Sequence, residues 1–144
     1  MPSPEPDSLG ANTDWIRLIA AAADLCRKPL RHGVVLVSEE GDSCGGWDPQ
    51  RGEITLRLEA RDAEGQRCPD EDLELEIYPS GSDLNLTLAW CLDEGRPMLW
   101  QGSHPVWMDA AGSRCGAPAE GVAIEALGRR LRSLLVAGSG ALQA

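Results

Sequence analysis

From residue 53 to residue 92 the chain alternates apolar and polar residues in three separate stretches. Ile54, Leu56, Leu58 and Ala60 fall on one side of the first stretch, and Glu53, Thr55, Arg57, Glu59 and Arg61 on the other. Leu73, Leu75 and Ile77 interleave with Glu74, Glu76 and Tyr78. Leu84, Leu86, Leu88, Trp90 and Leu92 interleave with Asn85, Thr87, Ala89 and Cys91. A period of two places one set on each face of a pleated strand, whereas a helix would scatter both sets around its axis. The connections Asp62-Ala-Glu-Gly65 and Pro79-Ser-Gly-Ser-Asp83 are short and rich in turn formers. Together they predict an antiparallel meander with one buried and one wet face. Charged residues on the wet face can pair across strands, each pair contributing about 0.2–1 kcal/mol.

The flanking segments complete the outline. Trp15, Leu18, Ile19, Ala22, Leu25 and Cys26 recur at helical spacing; Asn12 or Thr13 is the expected N-cap, and Pro29 stops the helix. Val34 to Val37 is a short apolar run, read as a strand buried on both faces. A glycine-rich loop over Ser38–Gly46 and a turn over Trp47–Gly52 follow it. Met98–Gln101 and Val106–Asp109 extend the sheet as a hairpin around Gly102-Ser103, and Ala110–Ala117 is loop. Pro118 suits the first turn of a second helix. There Ile124, Leu127, Leu131, Leu134 and Leu135 form a stripe opposite Glu125, Arg129, Arg130 and Arg132, and Gly138-Ser-Gly140 is the expected end. The predicted class is α+β: an antiparallel meander sheet of about five or six strands, with N-terminal and C-terminal helices packed on one face. Residues 1–12 are expected to be a disordered tail, 13–137 a single domain, and 138–144 a frayed tail.

Composition narrows the function. The net charge is −10, and sixteen of the 23 acids lie between Glu39 and Glu94. Such a surface repels phosphate backbones, so no nucleic-acid partner is expected. Arg129, Arg130 and Arg132 read as a solvated helix face. Leu18 to Ala23 is the longest apolar run, far short of the ~20 residues that cross a bilayer. The start of the chain lacks the basic and apolar parts of a secretory signal. Five cysteines without a Cys-x-x-Cys pair point to reduced thiols. The expected setting is therefore cytoplasmic, with no membrane partner.

Candidate chemistry fails on geometry. Gly41-Asp-Ser-Cys-Gly-Gly46 is similar to the Gly-Asp-Ser-Gly-Gly loop of chymotrypsin-like serine proteases. The extra Cys44 shifts the amides that would form an oxyanion hole, and that fold needs a longer chain. Cys44 as a nucleophile is opposed by Glu39, Glu40 and Asp42, because nearby negative charge raises a thiol pKa. Cys44, Cys68, Cys91, Cys115, His32 and His104 lack the close ligand pairs of structural zinc. Asp70-Glu-Asp72 lacks the calcium-loop spacing, and no phosphate-cradling glycine motif is present. No catalytic residue, metal or cofactor is expected.

Pro97 to Asp109 holds two of the five tryptophans, both internal methionines and one of the two histidines. Aromatic and methionine side chains are enriched at recognition surfaces. The candidate binding residues are Arg96, Trp100, His104, Trp107 and Met108. Alternation links their orientations: if Met98 and Trp100 face the core, Leu99 and Gln101 face out; if Val106 and Met108 face in, Trp107 faces out. One tryptophan is expected in and one out, with His104 and Trp107 outward. The leading expectation is a non-catalytic protein-binding or assembly module of chaperone type, with a protein partner or as a homodimer. In size, charge and helix–sheet–helix outline the chain is similar to small, acidic α+β secretion chaperones. The alternative is a small enzyme or small-ligand-binding protein with a pocket between sheet and helices, using His104, Cys44 or Arg96.

Overall fold

Each alternating stretch is a strand. The computed structural model describes residues 7–39, 52–81, 83–93 and 95–143, and of residues 7–14, 39 and 137–143 the backbone alone. The glycine-rich segment with Cys44 and the turn at Trp47 lie outside the described residues, as do residues 1–6. Six strands follow one another: β1 (Arg31–Glu39), β2 (Ile54–Arg61), β3 (Leu73–Ser80), β4 (Asp83–Trp90), β5 (Met98–Gln101) and β6 (Pro105–Met108). They form one sheet in chain order, every neighbouring pair antiparallel. Helix α1 (Asp7–Cys26) precedes the sheet and packs on β1; α2 (Gly121–Gln143) follows it, lies over β4, β5 and β6, and touches α1. The expected α+β meander between two helices is the fold.

The inward set of each strand is the one the alternation selects. Leu56 and Leu58 of β2, Leu73, Leu75 and Ile77 of β3, and Leu86 and Leu88 of β4 are buried beneath the helices. Ile19, Ala22 and Ala23 of α1 and Ile124, Leu127, Leu131 and Leu135 of α2 close over them. Each large aliphatic side chain so buried contributes about 1.5–3 kcal/mol. Leu18 and Leu25, expected on the buried stripe of α1, are exposed. Ile19 and Ala22 of that stripe are buried as expected, and Ala23 is buried beside them.

Several boundaries differ from expectation; α2 starts at Gly121, three residues after Pro118, and β6 spans Pro105–Met108, one residue ahead of the expected Val106–Asp109. Helix α1 begins at Asp7, ahead of the anticipated cap at Asn12 or Thr13, since no proline follows Pro6 to break the turn. Helix α2 continues through Gly138-Ser-Gly140 to Gln143, because a glycine costs a helix only about 1 kcal/mol and does not by itself end one. β4 stops at Trp90, which leaves Leu92 exposed beyond the sheet.

The larger correction concerns β1. The run Val34–Val37, expected to be buried on both faces, lies in an edge strand in which Val35, Leu36 and Val37 are 38%, 40% and 51% exposed. An apolar run reports hydrophobicity and not position in the sheet; here β2 lies on one side of the strand and its register is broken by a bulge between Leu36 and Ser38.

Two turns are built alike from like sequences. In Asp62-Ala-Glu-Gly65 the Asp62 carboxylate accepts from the amides of Glu64 and Gln66, both at 2.9 Å, and Gly65 takes φ +89°. In Asp109-Ala-Ala-Gly112 the Asp109 carboxylate accepts from Ala111 and Ser113 at 3.0 and 2.9 Å, and Gly112 takes φ +86°. Both glycines occupy left-handed backbone that disfavours a Cβ. Each turn folds the chain back to a β-bridge, Arg61 with Arg67 and Met108 with Arg114.

Helix α2 owes its seat to Gly128. A Cβ there would lie 3.0 Å from Leu99 Cδ2 and 3.3 Å from the buried Gln101 Oε1. The branched side chain of Gly128→Val therefore lifts the helix from β5. Overpacking of this kind costs about 1–3 kcal/mol, and urea unfolding of the variant is expected to show a midpoint lowered accordingly.

Candidate functional site

Inward packing of Leu99 and Trp107 fixes what faces out. Leu99 is fully buried and Trp107 is 5% exposed, so the intervening positions of β5 and β6 turn to the uncovered face. On that face the register aligns Thr55, Glu76, Thr87, Trp100 and Val106 in one row across five strands. Met98 pairs with Met108 in the adjacent row. The result is a shallow groove of about 730 Å³ whose floor is Tyr78, Thr87, Met98, Trp100, Val106 and Met108. Glu53 and Glu76 border it on one side and Arg114 on the other.

Local interactions hold this surface in place. The Trp100 indole N–H donates to the Tyr78 hydroxyl at 2.8 Å, which pins both rings across β4. Gly102 completes the support: a Cβ there would meet Asn85 Oδ1 at 2.8 Å and the Trp100 ring at 3.1 Å. The Asp109 turn folds Arg114 back onto Met108 and delivers a cation to the rim. A smaller hollow of about 290 Å³ shares Met98, Met108 and Gly112 with the groove and adds Trp90 and Arg96.

The expected binding residues separate accordingly. Trp100 and Met108 line the groove. Arg96 lies at the neighbouring hollow, its guanidinium 3.5 Å from the centroid of the Trp90 ring and paired with Glu120 at 2.9 Å. His104 is exposed in the β5–β6 turn and is not part of the groove wall. Trp107, expected to face out, is a core residue whose indole N–H donates to the Glu125 carboxylate of α2 at 2.6 Å. One tryptophan is in and one out, but the assignment is the reverse of the one expected. Tyr78, Thr87, Val106, Glu53, Glu76 and Arg114 join the site only through the register, which brings together residues as far apart as 53 and 114.

A second cluster of polar groups is buried at the junction of α1 with β1. The Asp24 carboxylate accepts from the His32 backbone amide at 2.7 Å and lies 3.0 Å from its Nδ1. His32 Nε2 faces an Arg27 guanidinium nitrogen at 3.1 Å. A guanidinium only donates, so Nε2 accepts and the imidazole proton sits on Nδ1, directed at Asp24. Arg27 also donates to the Glu71 carbonyl at 2.9 Å and carboxylate at 2.8 Å. Asp72 beside it accepts from the Ala60 amide and, through both oxygens, from Arg67. Burial raises the Asp72 carboxyl pKa, but Arg67 and the amide outweigh that and hold it below the ordinary value. With both imidazole nitrogens engaged inside the protein, His32 locks the α1–β1 turn.

The thiols of Cys26 and Cys91 are poorly set up for nucleophilic work. Burial pushes the Cys26 thiol pKa up despite Arg130 and Arg129 nearby, and burial with Asp72 and Glu74 does the same to Cys91. Among the described residues no group of three or more His, Cys, Asp or Glu gathers as a metal site, and no helix is long and apolar enough to cross a membrane.

A family model, the domain of unknown function DUF8659, matches residues 16–134, most of the chain and all of the sheet. The chain belongs to this family. No curated protein and no solved structure matches it. The matched span includes the whole groove and the His32 cluster, so both lie within the family's domain.

Burial lowers the His32 pKa below the ordinary 6.5, with Arg27 adding to the effect and Asp24 opposing it. The unfolded chain then takes up a proton that the folded chain resists. The His32 contribution to stability is full above pH 6.5, the unfolded value, and is lost as pH falls below it toward the lower folded value. Melting temperatures measured from pH 8 to pH 5 are expected to fall toward acid in the native chain, about in line with one depressed histidine. The slope is expected to be flatter in His32→Gln.

Proposed function

We propose that this protein is a non-catalytic protein-binding module that receives an extended apolar segment of a partner on its open sheet face. The observation that carries the reading is the cluster of Tyr78, Trp100, Met98 and Met108 on the face opposite both helices. These side chains are half-buried, and what they expose lies together on that face. Trp supplies a rigid anchor and Met an adaptable one, a pairing suited to a partner with apolar side chains. Glu53 and Glu76 on the rim favour a basic residue beside the anchor, and the overall charge of −10 steers such a segment toward the protein. The reading includes a cytoplasmic setting, supported by four free thiols at Cys26, Cys68, Cys91 and Cys115.

A second reading is favoured by the groove's size. Volumes of about 300–1,000 Å³ are those of small-molecule sites, and 730 Å³ lies among them. A flat apolar ligand on Trp100 is therefore the competing occupant. The pocket expected between sheet and helices has a different counterpart, a hollow lined by Cys26, Gln101, Gly102 and arginines of α2. His104 and Arg96 do not line it.

An array of short peptides separates the two readings. Peptides with an aromatic or aliphatic anchor beside Lys or Arg are expected to bind, more weakly as salt rises. Trp100→Ala, with its fold verified by melting, is expected to lose roughly thirtyfold or more in affinity, the scale of a central aromatic anchor. Retained peptide binding in Trp100→Ala, or binding of apolar dyes without any peptide, counts against the protein-binding reading.

A further inference from the structure

The two ends of the groove carry opposite charges. Glu53, just before β2, and Glu76 of β3 stand at one end, and Arg114 stands past β6 at the other. All three are exposed, and among the described residues none of them is held in an ion pair. Arg57 on the same face, by contrast, pairs with Glu59 at 3.0 Å. Register sets the distance between the ends. From β3 through β4, β5 and β6 to the Arg114 bridge the sheet takes four pairing steps. At about 4.8 Å a step, Glu76 and Arg114 rise from backbone about 19 Å apart. That is about two Debye lengths at physiological ionic strength, so neither charge neutralises the other.

An extended segment crossing this floor meets it with every second side chain. At about 3.3 Å per residue, six residues advance about 20 Å, which matches the distance between the charged ends. A segment whose first groove-facing residue lies at Glu53 and Glu76 sets its second over Thr87 and Trp100. Its third lies over Val106 and Met108, and its fourth reaches Arg114. The first position suits Lys or Arg, whose aliphatic stem rests on the aromatic floor while its head meets the carboxylates. The second and third suit apolar side chains. The fourth suits a carboxylate, which a guanidinium holds through two parallel hydrogen bonds.

We infer that the groove selects a bipolar segment of a partner protein: a basic residue, two apolar residues and an acidic residue, each separated from the next by one residue. The inference rests on the protein-binding reading of the groove and specifies its occupant. A second copy of the chain does not supply such a segment. Its only basic and acidic residues six positions apart are Arg114 and Glu120, and Gly116 and Pro118 take the two apolar places between them. Arg114 is exposed on the rim of a shallow groove, so the segment runs on past it and the carboxylate is that of a side chain.

Fluorescence anisotropy with labelled peptides blocked at both termini reads the pattern. A Ser-rich peptide with Lys, Leu, Leu and Glu at alternate positions is expected to bind the native chain roughly fivefold more tightly than the same peptide with Lys in place of Glu, the scale of an exposed charge pair. Moving the Glu by one residue turns it away from the groove and is expected to remove the gain. Arg114→Glu is expected to invert the preference, favouring the peptide with Lys at both ends, with an unchanged melting profile. Equal binding of the three peptides overturns the inference. So does a preference that survives Arg114→Glu, or tighter binding of a peptide whose only carboxylate is its free C-terminus. Peptides that ignore the acid yet are lost in Trp100→Ala overturn the bipolar segment alone and leave the binding reading standing. A chain that binds none of these peptides overturns both.

Discussion

The contact of α2 with β5 at Gly128 decides the character of both sheet faces. With no side chain at that position, the helix lies close enough to cover Leu99, which becomes fully buried. A strand has period two, so burying Leu99 turns Met98 and Trp100 the other way. Antiparallel pairing passes the choice to β6, where Trp107 goes in opposite Leu99 and Met108 goes out opposite Met98. A packing contact on one face thereby builds the groove on the other. The Trp107–Glu125 hydrogen bond ties β6 to α2 and reinforces the same choice.

The polar interior at the opposite end of the sheet performs a different task. Arg27, His32 and Asp72 are withdrawn from water, and buried groups of this kind persist only when their hydrogen bonds are met. Here they are met among Asp24, Glu71, Arg67 and backbone groups of neighbouring elements. The cluster joins the end of α1, the start of β1 and the approach to β3. It resembles a catalytic arrangement only in composition, since Arg27 occupies the imidazole nitrogen that a general base would need free. The aromatic groove near the other edge of the sheet is set on this frame.

Much of the fold was legible in the sequence. The alternation over β2, β3 and β4 named the buried residues individually, because burial of one strand face imposes a repeat that nothing else produces. The α2 stripe was legible for the same reason at helical period. β1 was not, since a run of adjacent aliphatics reads alike at a sheet centre and at its edge. The site was half legible. Composition drew attention to Trp100, Met108 and their neighbours, but Tyr78, Glu76, Glu53 and Arg114 come from other parts of the chain. The His32 cluster left no local signal, because its members span residues 24 to 72 and meet only by folding.

The sequence by itself determined the sheet, its inward residues in the long strands, the order of elements and the acidic surface, because periodicity and charge are properties of the chain. It also determined that one tryptophan of the hairpin would face in and one out. Tertiary structure decided which. Four-residue strands carry too few inward positions to declare their own parity, so the choice fell to the nearest close contact, helix α2 at Gly128. The same is true of the edge: only the assembled sheet leaves β1 at its border and so turns an apolar run from core into surface.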